Sequence, residues 1–168
     1  MIKSDRLNIR PIEQSDLVNI IPIHSDDLVN QYLPYDTWKT DADAQAWYDR
    51  IQTLSGNIIE QQLIIELLDN SELIGTCLFM NHDKQNHTAE FGYVLGSKYW
   101  RQGYMHEAMS AFISYLADDL SILSLQATID TENIASIKLI EKLGFSANEQ
   151  SAEEIKENLI SYTKNLTT

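Results

Sequence analysis

Tyr99–Ala108, Y-W-R-Q-G-Y-M-H-E-A, is the stretch on which the reading of this chain turns. Just upstream, Ala89–Leu95 (A-E-F-G-Y-V-L) alternates with a period of two, which places Ala89, Phe91, Tyr93 and Leu95 on one face of a half-buried strand. Downstream, Met105, Met109, Phe112 and Leu116 follow the spacing of an amphipathic helix. Arg101, Gln102 and Gly103 stand between them. A strand that passes into a helix through such a loop leaves the first helical N–H groups unpaired and aims them at one point, with the positive end of the helix dipole behind them. That arrangement suits a phosphate. It also describes an ordinary strand-to-helix turn in which a glycine provides backbone freedom, and spacing alone leaves both readings open.

Working outward, residues 5–11 alternate around Leu7 and Ile9 as a first strand stopped by Pro11. Glu13–Asp16 followed by Leu17, Ile20 and Ile21 predict a helix that Pro22 ends or kinks. Ser25 is placed to cap a second short helix through Tyr32, with Asp26 and Asp27 in its first turn. Thr40-x-x-Asp43 has the form of a capping pair ahead of a helical face of Ala44, Trp47, Ile51 and Leu54, closed at Gly56. Gln62–Asp69 and Glu72–Met80 read as strands joined by a tight turn at Asp69–Ser71. The polar turn Asn81–Asn86 leads into the strand of Glu90. Beyond the central helix, Leu125, Ala127 and Ile129 alternate as a fifth strand. Asn133–Leu143 follows as a helix with Ile134, Ile137 and Ile140 at spacing three and Gly144 just past its end. After Ser146 the composition also permits a helix over Glu153–Leu159.

The 168 residues are read as one domain, 1–168, with room for a sizeable core. Hydrophobic and charged fractions of 43% and 22% are those of an ordinary soluble globule. No apolar run in the sequence approaches a membrane span, and M-I-K-S-D-R at the start lacks a secretory h-region. A single cysteine, Cys77, excludes an internal disulfide framework, fits a cytoplasmic setting and reads as a buried structural thiol. The formal charge of −13, from 25 acidic and 12 basic residues, argues against nucleic acid and anionic membranes as partners. It is compatible with cationic substrates such as polyamines, aminoglycosides or basic N-termini, and equally with solubility alone. His24, His82, His87 and His106 show no metal-ligand spacing, so no metal is expected.

Taken together, A-E-F-G-Y-V-L…Y-W-R-Q-G-Y-M-H-E-A resembles the acetyl-CoA-binding core of the GNAT N-acetyltransferases, in particular the RimJ/RimL-type branch that modifies ribosomal-protein N-termini. Leu73–Thr76 (L-I-G-T), followed by Asp83 and Asn86, is similar to that branch's third strand and the turn before its fourth. Asn133–Phe145 (N-I-A-S-I-K-L-I-E-K-L-G-F) resembles its N-x-x-S…K-L-G-F helix and following strand, and Arg6–Leu17 its first strand and helix start. The resemblance implies an α/β (α+β) domain with a central mixed, mostly antiparallel sheet of about six to seven strands and about four to five helices. The cofactor would lie in a V-shaped split between the fourth and fifth strands. For the tail it implies two final strands, around 145–150 and 158–165.

It also implies an activity: transfer of acetyl from acetyl-CoA (coenzyme A) to a primary amine, a protein N-terminus or a small amine, by direct attack in a ternary complex. A catalytically silent acyl-CoA-binding module is the alternative, and a homodimer is admissible. By resemblance, backbone amides of Trp100, Arg101, Gln102, Gly103, Tyr104 and Met105 would hold the pyrophosphate. Met105 stands where the family usually has a small residue, and Arg101 where this branch often has glycine. Asn133 resembles the asparagine that contacts the cofactor arm, and it also suits a helix N-cap. The arm would pair like an added strand with the backbone of Gly92, Tyr93, Val94 and Leu95, whose N–H groups are natural oxyanion donors. Glu90, on the opposite strand face from Phe91 and Tyr93, is the candidate proton acceptor, since partial desolvation there would strengthen it as a base. Many relatives carry a tyrosine seven residues after the asparagine to assist the leaving thiolate. Here that position is Ile140, and the branch's serine, matching Ser136, is the candidate instead. Tyr32, Tyr35, Asp36 and Trp38 would form the acceptor wall, and those aromatics are also explained as core anchors.

Overall fold

In the computed structural model, which describes residues 1–54 and 60–166, one sheet runs through the protein in the order β1-β2-β3-β4-β5-β6-β8-β7. Its strands are β1 (Ile2–Lys3), β2 (Leu7–Pro11), β3 (Gln61–Leu67), β4 (Leu73–Asp83), β5 (Thr88–Leu95), β6 (Ser124–Asp130), β7 (Ser146–Ala147) and β8 (Leu159–Asn165). The helices are α1 (Leu17–His24), α2 (Asp27–Asn30), α3 (Asp41–Leu54), α4 (Tyr104–Asp118), α5 (Ile134–Lys142) and α6 (Ala152–Lys156). The described residues thus give eight strands and six helices. The excess over the sequence-based count comes from the two-residue strand β1 and the short helix α6, whereas β7 and α2 answer to the strand expected around 145–150 and the short helix expected after Ser25. Because β1 precedes the first predicted strand, the predicted fourth and fifth strands are β5 and β6. The tail accommodates both readings of it, a short helix at Ala152–Lys156 and a long strand after it.

Every neighbouring pair is antiparallel except β5 and β6, which run parallel and pair only at Thr88–Glu90 against Ser124–Gln126. Beyond that short seam β5 continues to Leu95 and β6 to Asp130 without rejoining. The sheet therefore opens into the expected V.

Two cores close the two faces. Against α4 and α5 pack Leu7, Ile9, Phe79, Phe91, Leu125 and Ile129, with Met109, Phe112 and Leu116 of α4 fully buried among them. Each such side chain contributes about 1.5–3 kcal/mol through apolar burial. Cys77 belongs to this core, and burial pushes its thiol pKa up, as befits an inert structural cysteine. The other face buries Ile20, Ile51, Ile64 and Val94 together with Trp38, under α1 and α3.

Local chemistry corrects several boundaries. Pro22 neither ends nor shortens α1, which runs two residues past it to His24. The carbonyl that Pro22 cannot engage is that of Val18, a residue 70% exposed, so water can serve it. Asp26, not Ser25, caps α2, accepting from the Leu28 N–H at 3.0 Å. The β3–β4 connection spans residues 68–72, longer than the predicted turn, with Ser71 at φ 57°. Asp43 accepts from the N–H groups of Lys39 and Thr40 and from the Thr40 hydroxyl, as the capping pair predicts. Those bonds hold its carboxyl below the usual range. The predicted stop at Gly56 lies outside the described residues.

His24, at the end of α1, is fully buried, stacked on Trp38 at 4.4 Å, with Nδ1 3.3 Å from the Tyr35 hydroxyl and Nε2 unpartnered among the described residues. Burial pushes its pKa down to about 4 from an ordinary 6.5. The unfolded chain takes up a proton below the ordinary value and the folded chain refuses it. The stability due to neutral His24 is therefore complete above pH 6.5 and drains away as the pH falls toward about 4. At pH 5 the expected loss is about 2 kcal/mol. Urea unfolding at pH 7.5 and pH 5 should register it, and His24→Phe should flatten the difference. An equal difference in the variant would assign the pH dependence to other groups.

Candidate active site

The loop between β5 and α4 is shaped by two left-handed residues. A 3₁₀ turn at Ser97–Tyr99 ends at an extended Trp100, whose indole Nε1 donates to the Leu95 carbonyl at 2.8 Å. Arg101 follows at φ 61° and Gly103, the N-cap of α4, at φ 81°. A left-handed backbone costs a side-chain-bearing residue about 1–2 kcal/mol, which explains why glycine suits position 101. Gly103 offers no side chain to cap the helix, and the first bond to the cap is from the Glu107 N–H to the Gly103 carbonyl at 3.1 Å. From Arg101 through His106, no backbone N–H meets an acceptor among the described residues. Alternating right- and left-handed residues turn such N–H groups into a concave anion cradle, here with the helix dipole behind it. Met105 is 7% exposed and packs into the α4 core, so its bulk stays out of the cradle. The Arg101 side chain is exposed, with no partner among the described residues.

Support for the cradle comes from residues the sequence reading did not single out. Glu107 accepts from the Ser4 hydroxyl and the Arg6 N–H, both at 2.7 Å, and from Arg6 Nε at 2.6 Å. Arg6 Nη1 also donates to the Gln102 carbonyl at 3.1 Å, and its guanidinium lies 4.3 Å from the Tyr104 ring centre. The turn between β1 and β2 thereby clamps the start of α4. Burial alone would raise the Glu107 pKa, but the bonds from Ser4 and Arg6 outweigh it and hold the carboxyl below its usual range. The contact spans 101 positions in sequence, so no local pattern announces it. Glu107→Ala leaves a backbone N–H, a hydroxyl and a guanidinium without their acceptor. The expected cost is about 1–2 kcal/mol, discounted because Arg6 is half-exposed. Calorimetric melting checks it, and an unshifted midpoint would show the clamp to be energetically idle.

The split is lined by backbone of alternating polarity. The Gly96 N–H donates to Ile74 of β4, whereas the His87 carbonyl accepts from Leu123 and Ser124 on the β6 side. With a period of two, even-numbered β5 residues turn their backbone to β4 and odd-numbered ones to β6. Past the seam, the N–H groups of Tyr93 and Leu95 therefore open into the split, and those of Gly92 and Val94 belong to the β4 ladder. Of the four residues expected to line the split through their backbone, two do so. The Leu95 carbonyl is already taken by Trp100.

Glu90 stands at the last paired position, against Met80 on one side and Gln126 on the other. It is half-buried, and its Oε1 accepts from Asn81 Nδ2 at 3.0 Å. Asn133 caps α5, its Oδ1 accepting from the Ser136 N–H at 3.1 Å, which leaves Nδ2 without a partner among the described residues. Ser136 is half-buried, its carbonyl lies 3.5 Å from the Tyr93 hydroxyl, and its own hydroxyl also meets that phenol. Ile140 is fully buried.

The aromatic loop divides. Tyr32 and Tyr35 are half-buried and Asp36 is exposed, with Tyr32 accepting from Gln31 at 3.0 Å. Burial pushes the Tyr35 hydroxyl up to about 12. Trp38, 6% exposed and 5.2 Å from Trp47, is turned into the core, so it can shape an acceptor wall only from behind. No hydrogen bond among the described residues links this loop to Glu90, Asn133 or Ser136.

A mixed sheet opened at one parallel pair, with a helix N-terminus whose amides are unpaired among the described residues, is the architecture that the sequence resemblance implies. The chain belongs to the GNAT acetyltransferases: the family described as acetyltransferase (GNAT) domain matches residues 6–146. It is 31% identical over 142 residues to an uncharacterized N-acetyltransferase, p20, of Bacillus licheniformis, covering 84% of this chain and 80% of that one. Among solved structures, the spermidine N-acetyltransferase of Vibrio cholerae in complex with CoA and spermine superposes with a TM-score of 0.82 at 16% identity, covering 96% of both chains. RimL, a ribosomal L7/L12 α-N-protein acetyltransferase in complex with coenzyme A, superposes with a TM-score of 0.81 at 15% identity, covering 97% of this chain and 96% of that one. These two likenesses speak to the fold.

Proposed function

We propose that the protein transfers acetyl from acetyl-CoA to a primary amine, either a small amine or a protein N-terminus, in the manner of the RimJ/RimL-type branch and in the cytoplasm. One observation carries the reading: among the described residues the N–H groups from Arg101 to His106 have no partner, and they stand at the mouth of a split into which the N–H groups of Tyr93 and Leu95 open. The first feature fits a diphosphate. The second fits an extended amide-bearing arm that lies in the split as an added strand. Asn133, its oxygen occupied in the cap, has its amide nitrogen available for the same arm. Acetyl-CoA supplies the acetyl group as an activated thioester.

The remaining work falls to the chain's own side chains. Glu90, one oxygen held by Asn81, has the other available to take the proton an amine must lose. The N–H groups beyond it can stabilise negative charge on a carbonyl oxygen. Ser136 sets its hydroxyl beside the Tyr93 phenol on the opposite wall. Two structural neighbours, a spermidine N-acetyltransferase and a ribosomal L7/L12 α-N-protein acetyltransferase, bracket the acceptor classes worth trying. Thiol release from acetyl-CoA against a panel of polyamines, aminoglycosides and N-terminal peptides tests the reading. Turnover with one class is the expected result. Tight coenzyme binding without turnover across the panel would favour a silent acyl-CoA-binding module.

A further inference from the structure

Tyr93 joins the two walls of the split. Its main chain belongs to β5 and its N–H opens toward β6. Its phenol crosses on the α4/α5 side of the sheet and ends 3.5 Å from the Ser136 carbonyl in the first turn of α5. An O–H···O bond is ordinarily about 2.7–2.8 Å, so this contact steadies the ring without fully engaging the proton. Four residues on from Ser136, Ile140 offers no polar atom and is sealed in the core. The phenol is thus a hydroxyl that bridges the two walls, delivered from the strand facing α5 and held against Ser136.

We propose that the Tyr93 hydroxyl is the hydrogen-bond donor that receives the coenzyme sulfur as the carbon–sulfur bond breaks, a role that rests on the acetyl-transfer reading above. In that step the amine lone pair forms the carbon–nitrogen bond and the carbon–sulfur pair departs with sulfur. The amine proton passes to Glu90 and from there to solvent, and the sulfur leaves as a thiolate facing the phenol. Burial pushes the Tyr93 pKa up to about 12, well above the thiol range of about 8.5. Handing over the proton would therefore run uphill. Tyr93 stabilises the thiolate by donation and keeps its proton, and the thiolate is protonated from water on release.

The test compares coenzyme A with desulfo-coenzyme A, which lacks the sulfur, by calorimetric titration of the full chain at pH 7 and pH 9.5. A donor aimed at sulfur makes the protein prefer the thiolate, so affinity for coenzyme A relative to the desulfo form should rise about tenfold over that range. Tyr93→Phe should abolish the rise, read as the ratio of the two affinities at each pH so that any general loss of binding cancels. A ratio independent of pH in the unmodified protein overturns the proposal without recourse to any variant. So does a rise that survives Tyr93→Phe, and if Ser136→Ala removes that rise, the serine is the donor. Failure of both coenzymes to bind overturns the acetyl-transfer reading and this proposal with it, whereas equal binding of both at each pH overturns this proposal alone.

Discussion

Gly103→Val is expected to weaken coenzyme A binding about a hundredfold or more while leaving the far-UV circular dichroism unchanged. Gly103 sits at φ 81°, a conformation that a β-branched residue adopts only under strain of about 1–3 kcal/mol. The space itself is not the obstacle: a Cβ there would meet only the Arg6 guanidinium, at 3.5 Å. The chain can therefore fold and relieve the strain by rotating φ, and that rotation swings the neighbouring N–H groups off their common focus. Losing two charge-assisted bonds to a diphosphate, at about 1.5–3 kcal/mol each, gives the stated factor. Gly103→Ala should fall between the two proteins. Isothermal titration measures all three, and an undiminished affinity in the valine variant would remove the cradle from any account of binding.

Glu90→Gln is expected to lower kcat by about a hundredfold, the usual contribution of a positioned general base, with coenzyme affinity within about twofold of the parent. The substitution keeps the shape of the side chain and an oxygen for Asn81, so the seam between β5 and β6 need not move. What disappears is the capacity to accept a proton. The loss should be largest on the acid side of the pH–rate profile, where the amine needs most help. Equal turnover by the two proteins would exclude Glu90 and turn attention to water or to another acceptor.

How far the sequence spoke depended on the range of the interactions. Period-two and helical spacing located β5, α4, β6 and α5 because burial of Phe91, Met109, Phe112 and Leu125 depends on local periodicity alone. The Asn133 cap and the Gly144 terminus, at φ 86°, were legible for the same reason. The clamp of Ser4 and Arg6 on Glu107 was not, since two distant segments meet there only after the sheet has formed. Nor was the division within Gly92–Leu95: the pattern gives which way side chains point, but which neighbour each amide serves depends on strand order. Trp38 was visible as an aromatic at a loop end. Its stacking on His24 became readable only once α1 and α3 were seen to share a core.

The brevity of the Thr88–Glu90 seam has a mechanical consequence. The two wings of the sheet are fastened to each other at one end only, so their angle of divergence is governed from beneath. A single apolar cluster containing Phe79 and Phe91 of one wing, Leu125 and Ala127 of the other and Phe112 of α4 acts as the wedge. Because such interiors are close-packed, trimming the wedge should narrow or widen the gap as a unit. Faster amide exchange at Leu123 and Ser124, whose N–H groups donate to His87 at the seam, would be its signature in Phe112→Leu.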